Sequence, residues 1–190
     1  MYIRIPLGIA VVAALLGTGI LAQTHGQPED FTAIAIANDN LGSGVGTVSI
    51  SVDRWSTESE RTTFVTTLRE KGPRAMLDAL QDMRRAGFIR TPDSLGHPLH
   101  FAYQTPAEDG GRRIVIATDR PIAFWEHWSG SRTMEYPFTV IQMRIGRDGR
   151  GTGTLSEATR ILAYGDIIEL ENFSSAPILL KEIRAEMQDE

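Results

Sequence analysis

Phe138-Thr139-Val140-Ile141-Gln142-Met143-Arg144-Ile145, followed by Gly146 and then Arg147-Asp148-Gly149-Arg150, is the passage that decides the fold class. The first part is a run of apolar and β-branched side chains, as strands favour. Asp-Gly between two such runs is a tight hairpin signal, because glycine accepts positive φ without steric cost. Downstream, Leu155 to Ala163, Ile167 to Phe173 and Ile178 to Ile183 extend the pattern into a meander. Turns fall near Gly165-Asp166 and Ser174-Ser175-Ala176-Pro177. In the last segment Leu179, Ile183 and Met187 also suit a helix, so 178–187 reads either way.

Upstream the same logic holds. Phe88 to Thr91, Leu99 to Gln104 and Arg113 to Thr118 are short strands, with Asp109-Gly110-Gly111 turning the chain and Asp119-Arg120-Pro121 breaking it. Near the start, Phe31 to Ala37 reads as a strand, and Val48, Ile50 and Val52 alternate with polar residues. That period of two marks a strand with one buried face. Between these regions lie the helix signals. Thr57-Glu58-Ser59-Glu60 fits a capping box, and Phe64, Val65 and Leu68 share one helical face. Gly72-Pro73 ends that helix and starts another, in which Met76, Leu77, Leu80 and Met83 recur at helical spacing until Gly87. Two short amphipathic helices, over 58–71 and 73–86, are expected.

Hairpin-length connections favour antiparallel pairing. The expected fold is α+β: a largely antiparallel twisted sheet of about seven to nine strands with the helix pair on one face. A meander after the helices could also wrap the sheet around them, by analogy with helix-grip ligand-binding folds, although no long C-terminal helix is evident.

The first residues carry a different message. Met1-Tyr2-Ile3-Arg4 has one positive charge, a mostly apolar run follows from Ile5, and Ile20 and Ala22 stand before Gln23 as at a signal-peptidase cut. The expected organisation is a signal peptide over 1–22, a flexible leader over 23–29 and a single domain over 30–187. The competing reading, a retained membrane helix, is weakened by Pro6, Gly8, Gly17 and Gly19 and by the lack of a basic stop. The expected localisation is periplasmic or extracellular.

The chain has 190 residues and no cysteine, so removal of residues 1–22 leaves 168 and no disulfide framework. A domain of that size can bury its own core. Formal charge is −5, and loss of Arg4 makes it −6. No basic run exceeds two residues, at Arg84-Arg85 and Arg112-Arg113. An acidic chain without basic runs argues against nucleic acid and anionic membranes.

Several short patterns resemble chemical sites. Gly42-Ser43-Gly44-Val45-Gly46 resembles a phosphate loop, but a strand pattern follows where a helix is required. Asn38, Asn40 and Gly42 mimic part of a calcium loop, yet Ser49 stands where a glutamate is needed. His97 and His100 are the only close histidine pair. Their spacing suits neither a helix nor one strand face, and a metal site would need completion from Asp93, Glu126 or His127. No cofactor and no metal are assigned. There is no nucleophile elbow and no thiol.

The densest cluster is Asp119 to Trp128. Arg120, Trp125, Glu126, His127 and Trp128 are the candidate ligand-binding residues: flat rings for stacking beside polar groups for orientation. The plainer reading makes them packing and turn residues. Trp55, at a strand-to-helix corner, is assigned to packing.

Val52-Asp53-Arg54-Trp55-Ser56, Gly87-Phe88-Ile89-Arg90-Thr91-Pro92, Gly110 to Pro121, Tyr136-Pro137-Phe138-Thr139 and Glu169-Leu170-Glu171-Asn172 belong together. On these runs the chain resembles a family of small exported bacterial proteins with no assigned activity, over most of residues 30 to 184. The resemblance brings no catalytic motif, and His127-Trp128 lies outside its pattern. The expected function is a non-enzymatic exported domain that binds a small apolar or aromatic ligand or an envelope protein. Its rivals are a periplasmic or secreted, metal-assisted hydrolase and a purely structural envelope protein.

Overall fold

The computed structural model describes residues 26–39, 42–91, 95–120, 122, 137–164, 167–172 and 176–187. Its strands are β1 (Glu29–Asp39), β2 (Gly42–Val52), β3 (Gly87–Arg90), β4 (His97–Leu99), β5 (Phe101–Pro106), β6 (Arg112–Thr118), β7 (Phe138–Ile145), β8 (Arg150–Tyr164), β9 (Ile167–Asn172) and β10 (Ile178–Met187). One helix, α1 (Glu58–Asp82), lies between β2 and β3. All strands join one antiparallel sheet in the order β4-β3-β2-β1-β10-β8-β7-β6-β5, with β9 paired to β8.

The antiparallel sheet agrees with the sequence pattern, but the architecture is mainly β rather than α+β, with one helical element. That element, α1, is kinked at Gly72 (φ 81°, ψ −178°), the position where Gly72-Pro73 was expected to separate two helices. Helical structure resumes at once and ends at Asp82 rather than at 86. The ambiguous last segment is a strand. A bulge in β10, with Glu182 at φ 49°, keeps Leu180 and Ile183 both facing inward. The glycine-rich 42–46 segment opens β2 and pairs with β1, which removes the phosphate-loop reading.

The sheet curls strongly. Its two path ends, β4 and β5, are consecutive in the chain and separated only by His100. The β4 segment pairs with β3 while His100 N–H donates to Ala117 O of β6 (3.2 Å). The other edge of β5 is met by Ser56, whose N–H donates to Ala102 O (2.7 Å) and whose Oγ accepts from Ala102 N–H (3.1 Å). Neither end of the path presents a long open edge.

Alternation then sorts the side chains. The inner face holds Phe31, Ala33, Val48, Ile50, Ile114, Ile116, Ile141, Met143, Leu155 and Leu180 in one continuous core. Close packing there depends on Gly153: a Cβ at that position would collide with Gln142 O and crowd Met143. Trp55 is buried against Phe31, rings edge-to-face at 6.5 Å, and its Nε1–H donates to Gln27 O (2.9 Å). The opposite face of β5, β7 and β8 receives α1. Phe64, Leu68, Met76 and Leu80 pack on Phe101, Ala117, Phe138, Val140 and Ile161, with Phe64 stacked on Phe101 at 5.0 Å. The helix therefore lies outside the curl, so the sheet does not wrap around it.

The start of α1 follows its sequence signal. Thr57 Oγ1 accepts from Glu60 N–H (3.1 Å), and Glu60 Oε2 accepts from Thr57 N–H (2.7 Å) and from Arg54 Nη1 (3.0 Å). Burial opposes ionisation of Glu60, but the hydrogen bonds from Arg54 and Thr57 outweigh it and hold the carboxyl below its usual range.

Candidate functional site

Of the residues singled out in the sequence, Trp125, Glu126, His127 and Trp128 lie outside the described residues, as does Asp93. Arg120, His97 and His100 are described, and they gather where β6 ends. Asp119 is the centre of this group, its side chain only 10% exposed. Its Oδ1 accepts from Arg120 Nε (3.1 Å), with His100 Nε2 3.6 Å away; the single Thr118 hydroxyl proton serves either Pro98 O (2.7 Å) or Asp119 Oδ1 (3.3 Å). Burial pushes the Asp119 carboxyl up, but Arg120 and His100 more than compensate, and the net direction is down. The pKa of His97 is also lowered: burial first, and then the Arg120 charge, disfavour its protonated form.

This geometry ties the end of α1 to the sheet. His100 Nδ1 lies 3.2 Å from Met83 O at the end of α1, and a carbonyl only accepts, so Nδ1–H is the donor. α1 has no basic residue in its last turn, and His100 supplies the missing partner from the sheet. Its two ring nitrogens are turned toward the helix end and Asp119. The chain leaving β6 is pinned just beyond. Thr139 Oγ1 accepts from Ile122 N–H (2.9 Å), and its single proton serves either Glu157 O (2.6 Å) or Arg120 O (3.0 Å). Ile122 is fully buried in the inner core. Among the described residues no three His, Cys, Asp or Glu side chains come together as a metal-ligand set.

A second polar centre closes one end of the curl. Glu29, 4% exposed, receives both Nη atoms of Arg112, and Arg112 Nη1 also donates to Gln104 Oε1 (2.9 Å). Arg112 lies 5.9 Å above the Phe31 ring centroid. A bidentate pair with a further donor engaged by Gln104 is a form in which a buried charge is tolerated.

The third region is one that sequence reasoning missed. Beyond α1, no described element covers the outer face of β6, β7, β8 and β10, which forms an open groove of about 500 Å³. Arg113 stands directly opposite Arg144, and Arg150 directly opposite Arg184. Both are like-charge cross-strand pairs, an arrangement that costs stability. Lys181 adds a fifth cation. Arg144 is paired with Asp109 (2.7 Å), on the surface. Among the described residues, Arg113, Arg150, Lys181 and Arg184 have no ion-pair partner. One register step along the strands runs an apolar and amide row: Val115 opposite Gln142, Gln142 opposite Thr154, and Thr154 opposite Leu179. Leu179 is 42% exposed and Val115 37%.

In sequence these cations are spread over four strands, and apart from the Arg112-Arg113 pair none stands in a basic run. The available signal was their shared outward parity, and it becomes readable only once strand order and register are known. Comparison of the chain with protein-family models, curated proteins and solved structures finds no match.

Proposed function

We propose that this chain is an exported, non-enzymatic binding domain, and that it receives an anionic partner on the outer face of β6, β7, β8 and β10. One observation carries the reading: two like-charge arginine pairs and a lysine are held on one face of a chain whose formal charge is −5. Such a face is disfavoured by its own repulsion and is relieved when an anion binds. The described inner face is a continuous core of buried apolar side chains, which supports placing the partner on the outer face. An open groove suits a macromolecular partner better than an enclosed small molecule. Residues 1–22 remain the proposed export signal, and the resemblance to small exported bacterial proteins supports the same placement. The metal-assisted hydrolase ranks second, because the described histidine cluster has its geometry explained by clamping α1 to the sheet.

The test is a paired measurement on an Arg113→Gln, Arg150→Gln, Lys181→Gln variant. Binding of poly-glutamate, followed by calorimetry at low salt, should fall at least tenfold. The melting temperature should hold or rise. Unchanged binding, or no binding by the parent protein, removes the proposal. Export is tested separately by the intact mass of the protein recovered from the periplasm of an expression host, which should lack residues 1–22.

A further inference from the structure

Resting on that reading, we propose that the occupant of the outer face is an acidic amphipathic helix of a partner protein, lying across the strands beside α1. The cationic row formed by Arg113, Arg144 and Lys181 spans from β6 to β10. Three strand spacings make this about 14 Å, the length of roughly nine or ten helical residues. Acidic side chains at helical spacing would therefore meet the row from end to end. The apolar row through Val115 and Leu179 runs alongside, two residues away along each strand, or about 7 Å. A helix about 10 Å across covers both rows at once, with its carboxylates on one flank and its aliphatic stripe on the other.

The molecule already shows how this face takes a helix. α1 crosses the neighbouring stretch of the same outer face, reaching Phe101 on β5 and Ile161 on β8 with a stripe of apolar residues. The next stretch keeps the apolar content and adds cations. Gln142, Thr152 and Thr154 lie between them as hydrogen-bonding groups for carboxylates. An added strand is a poorer occupant, since the groove lies mid-sheet, where the backbone groups are already paired.

The experiment titrates the purified protein with two synthetic peptides of identical composition. One places Leu at i, i+3, i+4 and i+7 with Glu on the adjoining flank. The other scrambles the order and so keeps the charge without the stripe. The patterned peptide should bind at least tenfold more tightly. Leu179→Ser and Val115→Ser should reduce its affinity severalfold while leaving poly-glutamate binding unchanged, with near-UV circular dichroism confirming the fold. Equal affinity for both peptides overturns the helix and leaves the anion-binding face standing. Loss of all anion binding overturns both. Tighter binding to phosphatidylglycerol vesicles or to duplex DNA through the same cations also overturns the helix and assigns the face to that partner.

Discussion

The two ends of the outer face of this sheet are built from the same strands and treated in opposite ways. Where α1 lies, the outward positions are Phe101, Ala117, Phe138 and Val140, and all are buried. A few residues further along the strands the outward positions become Arg113, Arg144, Arg150 and Lys181, and all are exposed. Strand chemistry does not distinguish the two ends. What differs is whether the chain supplies its own cover. The covered end is optimised for stability. The open end carries like charges in register, which a purely structural surface has no reason to keep together.

The sharpest way to press this contrast is to disturb positions in order of expected effect. The largest loss belongs to the buried ion pair. Arg112→Ala strands Glu29 and should cost about 3–5 kcal/mol in chemical denaturation. On the covered face, Leu80→Ala leaves a cavity under α1 and should cost about 2–5 kcal/mol by the same assay. A loss below 0.5 kcal/mol would mean that α1 is not an integral cover. Thr57→Ala removes one half of the capping box and should cost about 1 kcal/mol. On the open face, Arg113→Gln relieves the contact opposite Arg144 and should change stability by roughly 0.2–1 kcal/mol in the favourable direction. If that substitution destabilises the fold substantially, the two ends of the face are not energetically distinct.

An acid titration probes the junction where α1 begins. The folded-state pKa of Glu60 is depressed, so its contribution is present above the unfolded-state value and is lost as pH falls through the folded one. Denaturation midpoints should therefore decline through the acidic carboxylate range. In Glu60→Gln that part of the decline should flatten, with a lower plateau at neutral pH. An unchanged acid limb in the variant would show that the capping contacts do not contribute.

Local signals in the chain are strong where one segment determines its own structure. The Thr57–Glu60 cap and the alternation around Val48–Val52 needed no partner to be read. The Arg147–Arg150 turn likewise joins β7 to β8 as expected. The break expected at Gly72-Pro73 is present as a kink within α1, and packing of Met76 and Leu80 on the sheet carries the helical element onward to Asp82. Strand order was not legible. Nothing near β10 says that it inserts between β1 and β8. The proposed binding face was hidden for the same reason, since Arg113 and Arg144 become neighbours only through the β6–β7 register. The aromatic cluster was conspicuous because its residues are adjacent in sequence, and of it only Arg120 falls within the described residues.

The position of β10 has a kinetic side. The strand that joins the two halves of the sheet is the last one in the chain. During synthesis or threading from the N-terminus, β1 and β8 each wait with an unpaired edge until residues 178–187 arrive. Pairing β1 with β10 closes nearly the full length of the chain, a contact of high sequence separation that slows folding. A sheet laid out in this way keeps the edges of β1 and β8 open until β10 pairs with both. Truncation before Ile178 would leave two open edges, prone to join other chains instead.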